Sequence, residues 1–501
     1  MNLTNRNIIA NYIGRLWGFV SIFLFVRFYI DLLGIESYAI INFYAVILGL
    51  LVFADGGLTA TLTRELAREN SLFRKSNLVY TFERIYLVVC IFIIILILFF
   101  ADIASQNFLN SKHYTTLEIS YYIKLMGIGV AFQLFATLYD GGLQGLQYQV
   151  LTNKIKIIWN LFRSGIVLVP LYFYPFLEIY FWWQIVCNVI LIMVFRYKLY
   201  SLLMNKKLFF SSRLLKDNYQ YALGMMGIAF ISAVNIQIDK IVTSKYLSTE
   251  LFGYYSIASI LSQIPVMIVA PIVVAIFPLF ALAVSKNDNQ SLTVNFHKYS
   301  SIITYISAPI TFCIVLYSIP LVTLWTGMPE VANEINYVVK MLAIGGFFLC
   351  LQLTSFYLAL ANGFTKINLY TGIIGLMMVI PLMIYSIKNY GMLGATFPWI
   401  FINLISFIVV GVYVVNRFLK NNIIRWLLFD IFIPCLITVI IGLFVFLLAK
   451  GFEFKLEFIV NSILIGLISL IINMIVYNKL NPIEKLFDFS KIQSFIRSKI
   501  K

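Results

Sequence analysis

Arg84-Ile85-Tyr86-Leu87-Val88-Val89-Cys90-Ile91-Phe92-Ile93-Ile94-Ile95-Leu96-Ile97-Leu98-Phe99-Phe100-Ala101 is charged only at its first residue and is continuously apolar from Leu87 onward. A helix on the surface of a soluble domain keeps one polar face, and this stretch has none. A helix of about 20 apolar residues covers the hydrocarbon core of a bilayer, whereas a barrel strand alternates over about ten. The stretch therefore reads as a transmembrane helix.

The same test applied outward gives fourteen windows: 8–33, 37–60, 84–101, 119–140, 154–174, 178–196, 219–244, 252–280, 300–324, 336–361, 367–387, 393–415, 427–449 and 458–477. The first contains Arg15 and Arg27 and has no Ala-x-Ala site behind it, so it reads as a retained helix rather than a signal peptide. Composition agrees. Of 501 residues, 61% are apolar and 12% charged, against roughly 45–50% and 25% in soluble domains. A soluble enzyme, a secreted disulfide scaffold and a disordered chain are excluded, and an all-α integral membrane protein of about 14 spans is expected.

The net charge of +16 has a topological explanation. With the N-terminus inside, 26 of the 37 Lys and Arg fall on the cytoplasmic side, including Arg64, Arg68, Arg74, Lys75 and Arg84, and Arg196 with five more between 197 and 218. This asymmetry is what the positive-inside rule requires, and it fits an even number of spans with both termini cytoplasmic. There is no soluble basic domain to bind nucleic acid. The 197–218 segment separates six spans from six, which gives an N-terminal lobe at 1–205, a C-terminal lobe at 206–420, and two further spans with a tail at 421–501. A weak repeat crosses this linker: Leu33-Gly34-Ile35-Glu36-Ser37-Tyr38-Ala39 aligns with Leu247-Ser248-Thr249-Glu250-Leu251-Phe252-Gly253. Lobes of six spans share orientation and are related by an axis along the membrane normal.

Charges inside spans are expensive, at roughly 2.5–3.5 kcal/mol each when facing lipid mid-bilayer, and they mark functional positions. Here they are Arg15, Arg27 and Asp31 in the first span, Arg163 in the fifth, and Asp239 with Lys240 in the seventh. The repeat places Lys240 within one residue of the Arg27 position. Structural readings stand beside the functional one. Arg27 and Asp31 are four apart and can neutralise each other, Arg15 can snorkel, and adjacent Asp239 and Lys240 point about 100° apart and can pair with other helices. Asp55 and Asp140, each before Gly-Gly, are candidates for gating or loop anchoring. Pro265, Pro271 and Pro278 predict a bent eighth span. The aromatic run from Tyr172 to Trp183 is placed at an interfacial belt.

Five cysteines lie in apolar runs, and His113 and His297 are assigned to polar loops away from carboxylates, so neither a disulfide framework nor a metal site is expected. No nucleotide-binding, hydrolase or metalloprotease motif is present, and the longest outer loop, about 102–118, is too short for a catalytic domain. A transporter without a cofactor fits.

Several segments together resemble a known family: Asp31-Leu32-Leu33-Gly34-Ile35-Glu36-Ser37-Tyr38; Asp55-Gly56-Gly57-Leu58 with Arg64-Glu65-Leu66-Ala67; Gly142-Leu143-Gln144-Gly145-Leu146-Gln147; Gln237-Ile238-Asp239-Lys240; Gly253-Tyr254-Tyr255-Ser256-Ile257-Ala258; Ile276-Phe277-Pro278; and Ala361-Asn362-Gly363 with Lys366. In order and spacing they resemble the Wzx-type polysaccharide flippases of the MATE-like MOP exporter superfamily, across most of the first 415 residues. Ala39 stands where the first loop motif usually has glycine. The resemblance implies two six-helix lobes around a central cavity, two extra C-terminal helices, and transfer of an undecaprenyl-diphosphate-linked oligosaccharide to the outer leaflet of a bacterial plasma membrane for O-antigen or capsule synthesis, alongside a polysaccharide polymerase. Arg15, Arg27, Arg163 and Lys240 are then candidates for gripping the diphosphate, with Asp31 and Asp239 the carboxylates to test for Na⁺ or H⁺ coupling. The alternatives are a lipid II flippase, a cation-coupled drug exporter and a membrane glycan polymerase.

Overall fold

The computed structural model describes residues 3–55, 57–203, 209–210, 229–230, 233–449 and 457–480. Among the described residues the regular secondary structure is helical, and extended pairing is limited to one isolated bridge between Asn110 and Ser248. Twelve helices are long and apolar enough to span a membrane, and they coincide with twelve of the fourteen expected windows. The fourteenfold count itself is not fixed, because two windows behave differently. Of the 219–244 window, residues 229–230 and 233–244 are described and a helix is seen over 233–246, whereas most of the 197–218 linker lies outside the described residues.

The 37–60 window does not form one span. The Ile35–Leu51 helix has 17 residues, a short 3₁₀ turn follows over Val52–Asp55, and a separate helix runs from Leu58 to Arg68. Gly57 at φ +69° lies in the left-handed region, which glycine enters without steric cost and which stops helix propagation. The new helix carries Arg64 and Arg68 on the side away from buried Leu62 and Leu66, an amphipathic pattern that hydropathy windows average away.

The chain divides into two compact units, the first formed by Met1–Ser256 with Trp325–Gly327. Its centre is the Thr116–Gly145 helix, packed between Leu72–Asn107 and Leu177–Leu203. The glycines at its C-terminal end explain the spacing of two sequence motifs at once. Thr63 Oγ1 donates to the Gly141 carbonyl at 2.9 Å, and a Cβ on Gly145 would stand 2.7 Å from the Thr63 carbonyl oxygen. Only a residue without a side chain lets the Leu58–Arg68 helix approach this closely.

The second unit comprises Ile257–Leu324 and Met328–Lys501. Val269, Ile276, Phe280, Phe296, Phe407 and Trp426 are among its buried core residues. The expected bend in the eighth span is a break: one helix ends at Ser262, Gln263 forms a turn, and Ile264–Ser285 resumes with Pro265 at its start and Pro271 and Pro278 inside. Proline without a neighbour before it in the helix loses no hydrogen bond, so the break falls where Pro265 costs least.

Candidate functional site

Arg163 lies in a six-residue π-helical segment, Leu161–Ile166, set between Gln149–Asn160 and Leu168–Phe173. A π-turn leaves backbone carbonyls unpaired within the helix and is characteristic of functional positions. One is used at once, since Tyr29 Oη donates to the Ser164 carbonyl at 2.6 Å. The Arg163 side chain is half-buried. Its Nε donates to Oε1 of the buried Gln184, and its guanidinium lies 4.9 Å from the ring centre of Trp159 and 5.8 Å from that of Tyr44. Among the described residues Arg163 has no acidic partner. Aromatic faces and an amide oxygen stabilise a cation without cancelling its charge, so the guanidinium keeps N–H groups for an anion.

The other expected cations are arranged differently. Arg27 pairs with Asp31 one turn along at 3.6 Å, and both side chains are about half exposed, so the pair adds little stability. Gly327, at φ +79°, receives the Arg27 side chain: a Cβ there would lie 2.9 Å from Nε. Trp325 Nε1 donates to the Phe23 carbonyl at 2.9 Å, holding this turn against the first helix. Of the partners on other helices that the 100° separation of Asp239 and Lys240 suggested, Asp239 finds one in Tyr255. The two also pair with each other at 3.4 Å, because the flexible lysine stem folds back, and Tyr255 Oη donates to Asp239 at 3.2 Å. Arg15 lies on the Leu3–Leu33 helix, but its side chain falls outside the described ones.

Both Asp-Gly-Gly carboxylates serve as anchors. Asp55 accepts from the Thr59 backbone at 3.3 Å and from its hydroxyl at 2.5 Å, capping the Leu58–Arg68 helix. Asp140 accepts from Gln144 at 2.8 Å and pairs with Lys156 at 2.5 Å, tying the fourth span to the fifth near the π-turn.

The two copies of the loop motif meet at one segment. Buried Glu36 of the first copy accepts from Ser111 Oγ and, at 3.3 Å, from the Lys112 and His113 backbone N–H groups. In the second, Thr249 N donates to the Asn110 carbonyl at 3.0 Å and Leu109 N to the Ser244 carbonyl at 3.0 Å. Lys112 also reaches Glu250 at 4.0 Å.

His113 is in that loop, as expected, but the assignment of His297 is corrected. It lies inside the Asn289–Leu316 helix, is 1% exposed, and contacts Asp430 Oδ2 through Nδ1 at 2.6 Å. Ser301 donates to the other carboxylate oxygen at 3.1 Å. Sequence reading omitted Asp430, although a lone carboxylate in the apolar stretch Trp426-Leu427-Leu428-Phe429-Asp430-Ile431-Phe432 was a signal in itself.

Twelve helices long and apolar enough to cross a bilayer define a multi-pass membrane protein, and its fold is similar to that of two solved membrane transporters. A lipid II flippase MurJ structure in an inward closed conformation superposes with TM-score 0.69 at 16% identity, covering 94% of this chain and 98% of that one. An inward-facing MATE family multidrug transporter gives 0.67 at 15% identity, covering 83% and 98%. Residues 6–284, more than half of the chain, match the family described as polysaccharide biosynthesis protein, and the chain belongs to that family. Relatives include a putative O-antigen transporter of Shigella flexneri, 23% identical over 73% of this chain and 87% of its own length. The teichuronic acid biosynthesis protein TuaB of Bacillus subtilis is 22% identical over 66% and 68%. Lipopolysaccharide biosynthesis protein WzxC of Escherichia coli is 22% identical over 46% and 47%. The family resemblance read from the sequence motifs is therefore borne out.

Proposed function

We propose that the protein is a flippase that carries an undecaprenyl-diphosphate-linked oligosaccharide from the cytoplasmic to the outer leaflet of the bacterial plasma membrane, for synthesis of O-antigen, capsule or a related surface glycan. Arg163 carries the reading. A half-buried guanidinium in a π-turn, beside aromatic rings and without a carboxylate partner among the described residues, suits a diphosphate, which it can grip by two parallel hydrogen bonds. The names of the relatives, which concern O-antigen, teichuronic acid and lipopolysaccharide, support a surface glycan as cargo. A drug exporter would more naturally hold a cationic cargo on a carboxylate; Asp31 and Asp239 are each already paired to a cation.

In this reading Arg15, Arg27 and Lys240 assist Arg163, and the lobes at 1–205 and 206–420 rock about a central cavity with the polyprenyl tail left in lipid. Both termini are cytoplasmic, and a polymerase consumes the product outside. Alternating access requires the loop motifs at 33–39 and 247–253 to part from the 109–113 segment and close again. A membrane potential negative inside favours outward movement of the anion by about 2.3 kcal/mol per charge per 100 mV. Na⁺ or H⁺ coupling is assigned to Asp31 and Asp239. Expression of Arg163→Ala and Arg163→Lys in cells lacking the native protein tests the reading. Surface glycan is expected to be lost in the first and strongly reduced in the second, and full display with Arg163→Ala would overturn the role of this residue.

A further inference from the structure

A cavity of about 410 Å³ in the second unit is lined by Tyr305 of the Asn289–Leu316 helix, by Arg425, Phe429 and Asp430 on the thirteenth span, and by Asn473 and Tyr477 on the fourteenth. Its lining differs from the lipid-facing surfaces on either side, which are apolar. Asn473 is 1% exposed, and among the described residues neither its amide nitrogen nor its oxygen has a hydrogen-bond partner. Leaving such a group dry and unpaired costs free energy, so a buried amide beside a cavity points to a ligand that satisfies it.

The charge of the cavity follows from the hydrogen bonds of His297. Asn422 Nδ2 donates to the Lys420 carbonyl at 2.9 Å, which turns Asn422 Oδ1 toward His297 Nε2 at 3.0 Å. A carbonyl oxygen only accepts, so Nε2 carries a hydrogen. The 2.6 Å contact between Nδ1 and Asp430 Oδ2 then needs a second proton, whether it resides on nitrogen or oxygen. The His297 and Asp430 pair is therefore neutral as a unit. Arg425 places a guanidinium in the wall, which the Tyr305 and Tyr477 side chains also line.

We propose that this cavity binds the headgroup of a glycerophospholipid, with the phosphate on Arg425 and a headgroup N–H or O–H donated to the Asn473 carbonyl. The mouth commits the ligand to lipid: Ile424 is 71% and Leu480 50% exposed at its rim, beside Phe429, so acyl chains have an apolar surface to follow. Arg417, Lys420, Arg425 and Lys479 cluster near the same ends of these helices, where headgroup phosphates are met. The site is independent of the translocation reading.

The test is lipid binding to purified, delipidated full-length protein by native mass spectrometry and by shift of the melting temperature. Phosphatidylglycerol and phosphatidylethanolamine, which both offer a phosphate and a donor, are expected to bind about tenfold more tightly than phosphatidylcholine, whose choline has no donor. Arg425→Gln should weaken all three about tenfold, Arg425→Lys should restore most of the affinity, and Asn473→Leu should remove the preference over phosphatidylcholine. Arg425 is exposed, so its variants fold irrespective of Asn473. Equal affinity for the three lipids, or unchanged binding in Arg425→Gln, would overturn the proposal. Saturation by glycerol 3-phosphate at the affinity of phosphatidylglycerol would assign the site to a free phosphate and overturn the lipid.

Discussion

Gly253 packs against Ala39: a Cβ built on Gly253 would stand 3.2 Å from that of Ala39 and 3.1 Å from the Ile35 carbonyl oxygen. The two residues occupy equivalent positions in the two copies of the loop motif, so the repeat seen in sequence becomes a contact between its own copies. Ala39 in place of glycine is accommodated because Gly253 supplies the missing space. Gly253→Leu is expected to force the copies apart and lower stability by about 1–3 kcal/mol, as overpacking does, with loss of surface glycan. Ala39→Gly should be tolerated. Melting in detergent and glycan display measure both, and wild-type behaviour of Gly253→Leu would show that the contact is dispensable.

Glu36 holds the 111–113 segment through three donors. Glu36→Ala leaves the Lys112 N–H and the Ser111 hydroxyl without their acceptor, while the His113 N–H keeps Ser111 Oγ at 3.1 Å, a cost of about 1–3 kcal/mol. Hydrogen exchange at Lys112 and His113 should accelerate in this variant while the Thr116–Gly145 helix stays protected. Unaltered exchange in the loop would contradict the anchoring role.

Because the His297 and Asp430 pair shares a proton, an amide can replace the carboxylate: Asn at 430 can donate to Nδ1. Asp430→Asn is therefore expected to melt within a few degrees of the native protein, whereas Asp430→Ala, which strands a buried imidazole, should lose about 1–3 kcal/mol. If Asp430→Asn proves as damaging as Asp430→Ala, the contact depends on a carboxylate, and the shared proton resides on the imidazole.

Gln184 accepts from Arg163 and is itself buried. Gln184→Leu keeps the volume but removes the acceptor, freeing the guanidinium to rotate. Glycan display should fall less than in Arg163→Ala, and the melting temperature should barely move, which separates positioning from folding. An unchanged display level would remove Gln184 from the site.

The spans were legible because continuous apolarity is a local property: the Leu72–Asn107 and Thr116–Gly145 helices contain the windows read from sequence. The break after Leu51 was not legible, since it depends on one glycine conformation and an amphipathic helix that an apolar window absorbs. Arg163 was identifiable from its cost in lipid, but its surroundings were not, because Tyr44 and Gln184 reach it from helices distant in sequence. The same holds for His297, whose neighbours Asn295 and Lys298 read as loop while its partner lies 133 residues away. Asp239 and Lys240 show the opposite error, in which geometry by helix angle underestimates what a flexible side chain can reach.

The most direct test is the leaflet distribution of lipid-linked glycans in cells depleted of this protein. The account predicts that an undecaprenyl-diphosphate-linked surface-glycan intermediate accumulates on the cytoplasmic leaflet and moves outward when the protein is restored. Accumulation of lipid II instead, or no change in either pool together with altered drug resistance, would contradict it.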